Sequence, residues 1–317
     1  MDEGRCALLG APAMVQADDP EVLRSVLDSL PTGVYMVDAQ GKILLWNSAA
    51  ERITGHLRQD LIGRQAQDGF LGHMDGAPEE ESSRPTPLTI AIREGKSSGS
   101  LINLRHKQGH RVAVRLHAAP IRNSHGSVVG AVESFEETSA AANWEQRQSK
   151  LASYGCIDDA SGVLNHEMVG LHLRERLTMF AQRPVPTSVL CISIDGLEDL
   201  RKRYGPAVLA PVVKAVGMTL ENSLRPTDSL GRWQENEFIA ILAECGGEEL
   251  PYVGERLRKM VKAAAVDWWG DSFNVTVSMG GTAAIAGDGV DEILARADAA
   301  LAESAGQGGN RVTVRTQ

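Results

Sequence analysis

No apolar run in this chain approaches the roughly 20 residues that a membrane-spanning helix needs; the apolar residues fall in short bursts separated by turn-forming ones. Such bursts leave water only by packing on one another, as strands of a sheet or as stripes of helices laid across it. In the first half, residues 34–37 and 43–46 are two such bursts, divided by Asp38-Ala39-Gln40-Gly41 in the pattern of a hairpin. Residues 101–104, 112–116 and 128–134 read as three further strands, split by the turn signals Lys107-Gln108-Gly109-His110 and Asn123-Ser124-His125-Gly126. Ahead of them, Val22, Leu23, Val26, Leu27 and Leu30 recur at helical spacing behind the start signal Asp18-Asp19-Pro20. Asn47 can cap another helix over residues 48–53, which Gly55 ends. An antiparallel sheet with its helices gathered on one face is the simplest architecture for that order.

The second half alternates longer elements. Val189-Leu190-Cys191-Ile192 reads as a buried strand, residues 208–220 as an apolar-striped helix and 238–242 as another buried strand. Residues 273–279 alternate as a strand, and 290–301 are helical again. The fold class is therefore α+β, a sheet with packed helices in each half. Between the halves, residues 139–154 are rich in helix formers, and Trp144 and Leu151 stand one heptad apart, as in a paired-helix seam. A solvated linker helix accounts for the same residues, because two apolar positions do not make a coiled coil.

At 317 residues the chain has room for two domains and a connector. Its 43% hydrophobic and 23% charged residues can fill two cores and keep the surface soluble. A formal net charge of -9 argues against a nucleic-acid or anionic-membrane surface. Cys6, Cys156, Cys191 and Cys245 lack CxxC spacing and fit reduced thiols in a cytoplasmic protein. Asp2 and Glu3 precede the first apolar patch where a signal peptide would be basic, so residues 1–18 read as a flexible lead-in.

The run Leu30-Pro31-Thr32-Gly33-Val34, then Asp38 to Ile43, Trp46-Asn47-Ser48-Ala49-Ala50, Thr54-Gly55 and Leu61-Ile62-Gly63, resembles a PAS domain. Glu136-Glu137-Thr138 is close to that family's Asp-x-Thr exit. The resemblance implies a sensory or dimerising domain over residues 19–138, and the PAS-helix arrangement implies signalling through paired helices.

Beyond a connector at residues 139–156, Asp158, Gly162 and Asn165 fit the opening Asp-x-Leu-Thr-Gly-Leu-x-Asn-Arg-Arg of GGDEF domains, with His166 and Glu167 in place of its two arginines. Gly231-Arg232-Trp233 leads into Gln234-Glu235-Asn236-Glu237-Phe238, where the signature would stand. Val277-Ser278-Met279-Gly280-Gly281 and Ala297-Asp298-Ala299-Ala300-Leu301 match the later strand and helix. Residues 157–317 thus resemble a GGDEF domain, of nucleotidyl-cyclase type.

The family's chemistry joins a ribose hydroxyl to an α-phosphate, and divalent ions offset the charge that develops there. Hard cations of this kind take carboxylate oxygen. By the resemblance, the first metal aspartate falls at Ser193 and the signature acid at Asn236, both neutral. Gln234 and Glu235 replace the two glycines whose bare backbone lets phosphate approach, and Glu235 adds a like charge. The guanine-reading positions fall at Arg201 and Ala210, the phosphate-binding lysine at Glu198, and the late Lys and Arg at Ala305 and Gly309. Asp195, Glu237 and Phe238 do match, Phe238 as core packing. The expectation is a degenerate site with no intact catalytic residue and no metal.

Arg225-Pro226-Thr227-Asp228 occupies the position of the family's RxxD inhibitory site. An arginine can grip the acceptor edge of guanine in a fork while an aspartate accepts from its N–H groups, so this pair can read cyclic di-GMP without the cyclase site. The competing reading is an Arg–Asp contact that closes a helix-to-strand turn, with Pro226 fixing the backbone.

His73 is the one candidate PAS ligand for haem or metal, unaccompanied by cysteine, and neither haem nor flavin is implied. Glu79-Glu80-Glu81 reads as a solvated loop, and His106, His110, His117 and His125 lack metal spacing. Trp268-Trp269 reads as a hydrophobic anchor for the adjacent strand. The expected protein is a cytoplasmic, dimeric signal transducer that binds cyclic di-GMP at Arg225 and Asp228 or contacts a downstream protein. A nucleotide-independent scaffold and a cyclase of residual or altered activity are the alternatives.

Overall fold

The computed structural model describes residues 19–66, 85–138, 148, 151–183 and 185–315. His73, Glu79 to Glu81, Trp144 and most of the connector lie outside these residues.

Asp19 accepts the Glu21 N–H at 2.9 Å and Pro20 fills the first turn, starting α1 (Pro20–Ser29). β1 (Gly33–Asp38) and β2 (Ile43–Trp46) pair antiparallel as the expected hairpin. Asn47 caps α2 (Ser48–Thr54) by accepting the Ala50 N–H at 2.9 Å, and the same oxygen takes the Val34 N–H at 2.8 Å. Its amide donates to the carbonyls of Leu27 and Thr32, so one buried side chain fastens α1, β1 and α2 together. α3 (Arg58–Leu61), α4 (Pro87–Glu94), β3 (Ser98–Arg105), β4 (Arg111–Arg122) and β5 (Val128–Glu137) complete the domain. The five strands run in the order β2-β1-β5-β4-β3, each antiparallel to its neighbour. Tyr35, Trp46, Ile102, Leu104, Val114, Leu116 and Phe135 pack with Ile53, Leu61 and Leu88, which puts the helices on one face.

The second domain comprises α5 (His166–Gln182), β6 (Thr187–Ile194), α6 (Leu197–Tyr204), α7 (Leu209–Ser223), β7 (Ser229–Gln234) and β8 (Glu237–Ala243). It continues with α8 (Leu250–Ala263), β9 (Ala265–Trp268), β10 (Asp271–Asn274), β11 (Val277–Ala283), α9 (Val290–Gly306) and β12 (Val312–Arg315). Its main sheet is ordered β12-β11-β6-β8-β7, with only the β11–β12 pair parallel. Successive strand residues point to opposite faces. Leu190, Ile192 and Phe238 therefore meet Val212, Val216 and Leu257 of α7 and α8, whereas Val189, Cys191 and Ile239 meet Leu173 of α5 and Ala297 of α9. Burial on both faces is why β6 and β8 are continuous apolar runs.

Two expectations need correction. Residues 273–279 are not one strand: β10 pairs with β9 in a separate hairpin, and the pairing is interrupted at Val275-Thr276 before β11 joins the sheet. Asp195 holds that interruption, donating its N–H to the Thr276 carbonyl at 2.9 Å and accepting the Thr276 hydroxyl at 2.7 Å. Nor do both tryptophans anchor: Trp268 packs on the core, but Trp269, at the turn with φ +50°, is 92% exposed.

The β3–β4 turn seats the first domain on the second. Arg111 gives its N–H to the Thr219 hydroxyl at 3.2 Å, its carbonyl accepts the Asn222 amide at 2.9 Å, and its guanidinium reaches the Ala263 carbonyl at 2.7 Å. Nη2 of Arg105 donates to both carboxylate oxygens of Asp267 at 2.7 and 2.8 Å.

Candidate functional site

The end of β6 lies beside the turn from β7 to β8, because Ser193 pairs with Glu237 in the sheet register. Across that corner the Asn236 amide donates to the Ser193 hydroxyl at 3.1 Å. The two positions that the sequence resemblance assigns to metal carboxylates thus form a neutral hydrogen bond. Asp195 is committed elsewhere, accepting the hydroxyls of Thr276 and Ser278 at 2.7 Å each and the Asn310 N–H at 3.0 Å. Burial, and then the charge of Asp298, hold the Glu237 carboxyl above the usual carboxylate range. Among the described residues no group of three His, Cys, Asp or Glu side chains is arranged to hold a metal. This donor set does not fit a pair of divalent ions, which require several anionic oxygens turned to one point.

Around the corner the neighbouring side chains engage one another. Arg201 closes on Glu198 at 2.9 Å along the exposed α6. His166 stacks on Trp233 with ring centroids 3.9 Å apart and shares a 3.0 Å hydrogen bond with its carbonyl. Arg232 bridges Asp158 at 3.1 Å and the Glu235 carbonyl at 2.6 Å, so the domain's opening turn and the signature turn are tied together. Asp158 stays below its ordinary range although burial pushes it up, because Ser161 donates twice and Arg232 adds its hydrogen bond and charge.

The RxxD residues face a different space. A cavity of about 650 Å³ lies between the domains, and Arg225, Asp228, Tyr252 and Arg256 line one side while Leu101, Asn103 and Thr138 line the other. Asp228 accepts the Arg225 N–H at 3.0 Å through one oxygen and the Ala243 N–H at 3.0 Å through the other. Asp228 therefore closes the turn between α7 and β7, while the Arg225 guanidinium makes no hydrogen bond among the described residues. Arg256 donates to the Ser223 carbonyl at 2.7 Å. Burial, and then the charge of Arg225, lower its pKa, with Asp228 opposing. Two guanidiniums at close quarters favour an anion between them. Sequence reading missed Arg256 and Tyr252, since both lie on a helix far along the chain and only the fold returns that helix to the RxxD turn.

The first domain holds a buried acid that the sequence reading also passed over. Glu133 is fully buried on the core face of β5, opposite Tyr35 of β1. The Tyr35 hydroxyl donates to Oε2, and Oε1 has no hydrogen-bond partner among the described residues. Burial pushes Glu133 up to about 7 against the lowering effect of that hydrogen bond. The signal was the alternation Ala131, Glu133, Phe135, which put a carboxylate in line with two core residues. His106 and His110 stack at 4.2 Å near Lys214, and burial depresses them to about 4 and about 3.

Comparison with known proteins matches both halves. Residues 21–135 match the PAS fold, and residues 156–311 match the diguanylate cyclase GGDEF domain. Diguanylate cyclase A of Treponema denticola is 33% identical over 128 residues, covering 40% of this chain and 34% of that protein. Probable diguanylate cyclase DgcE of Escherichia coli is 23% identical over 304 residues, 93% of this chain but 26% of its own length. This chain thus spans about a third or less of those two relatives. Among solved structures, diguanylate cyclase SiaD of Pseudomonas aeruginosa, in complex with its activator SiaC, is 24% identical with a TM-score of 0.50, covering 55% of this chain and 68% of that one. The coiled coil and GGDEF domain of DgcB from Caulobacter crescentus, in complex with c-di-GMP, is 18% identical with a TM-score of 0.50, covering 55% and 93%. At these identities the likeness is one of fold.

Proposed function

We propose that this chain, a PAS domain followed by a GGDEF domain, transduces a signal as a cyclic di-GMP receptor and does not synthesise the nucleotide. The observation that carries the reading is the Asn236–Ser193 hydrogen bond, an amide and a hydroxyl where cyclisation needs metal-binding carboxylates. The cyclase corner carries neutral side chains at Ser193 and Asn236, whereas the groove at Arg225 keeps a guanidinium that makes no hydrogen bond among the described residues, beside Arg256. A dianionic ligand gains from both guanidiniums. Tyr252, largely exposed at the same groove, offers a stacking face for a base.

Equilibrium calorimetry of the intact chain with cyclic di-GMP tests the receptor reading. A product screen with Mg²⁺ or Mn²⁺ and several nucleoside triphosphates tests the loss of synthesis. Saturable binding without product formation is the expected pair of results. The engagement of both Asp228 oxygens by backbone donors favours a second reading, a nucleotide-independent protein-interaction scaffold. Absence of binding by the intact chain would select it.

A further inference from the structure

The groove at Arg225 is completed by the first domain. Its far wall is the outer face of β3, where alternation brings Leu101 and Asn103 to the surface while Ile102 and Leu104 enter the core. We propose that β3 of the PAS domain forms part of the cyclic di-GMP site, so that ligand binding and seating of the PAS domain on the GGDEF domain reinforce one another. This rests on the reading that Arg225 binds that ligand.

The wall has chemistry to offer. The Asn103 side-chain amide makes no hydrogen bond among the described residues, so its donors and acceptor are available to a purine edge. Leu101 is 63% exposed, an apolar surface that a base plane can cover. A volume of about 650 Å³ lies within the range of sites that enclose a small molecule.

The wall is also held by the element that presents Arg225. Asn222, near the end of α7, donates to the Arg111 carbonyl at 2.9 Å and lines the groove itself. Ser223, Leu224 and Arg225 follow it along the groove. Displacing the β3–β4 turn therefore moves both walls relative to each other. A ligand that touches both walls favours the seated arrangement, and by linkage the seated arrangement favours the ligand to the same degree.

The test uses the full chain and cyclic di-GMP. Calorimetry compares wild type with Leu101→Glu, which adds a carboxylate to the wall at an exposed position, and with Ser124→Glu, which adds the same charge at an exposed turn elsewhere in the PAS domain. At least tenfold weaker binding in Leu101→Glu, with Ser124→Glu equal to wild type, is expected. Hydrogen exchange of wild type, which needs no variant, is expected to slow across Ser98–Arg105 on saturation. Binding that Arg225→Ala removes but Leu101→Glu leaves intact, or unchanged exchange in β3, would overturn the composite site alone. No binding by wild type would overturn the receptor reading and this inference with it.

Discussion

Asp228 and Ala243 are joined by a 3.0 Å hydrogen bond from the Ala243 N–H to one carboxylate oxygen, while the other oxygen takes the Arg225 N–H. The two halves of the RxxD motif therefore do different work, and substitutions separate them. Asp228→Ala strips two backbone donors of their acceptor and should cost about 1–3 kcal/mol of stability. Arg225→Ala removes an exposed guanidinium and should change stability by less than about 0.5 kcal/mol. It should instead weaken cyclic di-GMP binding by about 1–3 kcal/mol, the scale of one bidentate base contact. Urea unfolding and calorimetry of both variants check this; unchanged affinity in Arg225→Ala would eliminate the site.

The cyclase corner should not be restored by one acid. Asn236→Asp returns a carboxylate to the signature turn, yet Ser193 remains neutral and Asp195 remains bound to Thr276, Ser278 and Asn310. Neither wild type nor Asn236→Asp should form cyclic di-GMP from GTP with Mg²⁺ or Mn²⁺, as read by chromatography of products. Metal-dependent turnover by either would sink the degenerate-site reading.

The fold was legible where one residue type had one local task. Asn47 as a cap, Gly55 as a left-handed stop and the doubly buried β6 and β8 follow from spacing and apolar content. Ser193 and Asn236 were legible as a pair only through family spacing, since nothing local says that β6 ends beside the signature turn. The break at Val275-Thr276 was hidden because the tertiary bonds from Asp195 impose it. The groove was hidden for the same reason: its walls come from β3, the α7–β7 turn and α8, three segments that meet only in the assembled domains.

Self-association should run through the first domain. α1 buries no residue, and Leu23 and Val26 are each about half exposed on it, an apolar stripe that a symmetric partner can cover. Light scattering of the full chain should report a dimer that weakens when residues before Gly155 are removed. A monomer at every concentration would count decisively against this.

Glu133 should make the PAS domain less stable as pH rises. An unfolded glutamate loses its proton near 4.5, whereas in the fold Glu133 keeps it to about 7. Between those values only the folded chain holds the proton, so this group's contribution is greatest below about 4.5, declines toward 7 and stays low above it. The full effect is on the order of 3 kcal/mol. Beside it in the sheet stand Tyr35 from β1 and Ala118 from β4; among the described residues Tyr35 supplies its one hydrogen bond and no cation is paired with it. Glu133→Gln should flatten the profile and exceed wild type in stability at pH 8, whereas Tyr35→Phe should fall below it. Unfolding by urea at pH 5, 6, 7 and 8 checks this, and a wild-type profile parallel to that of Glu133→Gln would refute it.

Gly109→Ala should loosen the two domains from each other without unfolding either. Gly109 lies in the β3–β4 turn at φ +93°, and a Cβ there would stand 2.2 Å from the Ala265 carbonyl oxygen of the second domain. That is backbone against backbone, so no side-chain rotation relieves the clash, and an L residue is strained at this φ in any case. The least costly response is withdrawal of the turn, which takes Arg111 from Thr219, Asn222 and Ala263. Neither core contributes to that seat, since one is built behind β3 and the other beneath α7 and α8. Small-angle scattering should therefore give a larger radius of gyration for Gly109→Ala at unchanged far-ultraviolet circular dichroism. Affinity for cyclic di-GMP should fall in parallel, because the same movement opens the groove. An unchanged radius would mean that the Arg111 seat does not set the domain arrangement in solution.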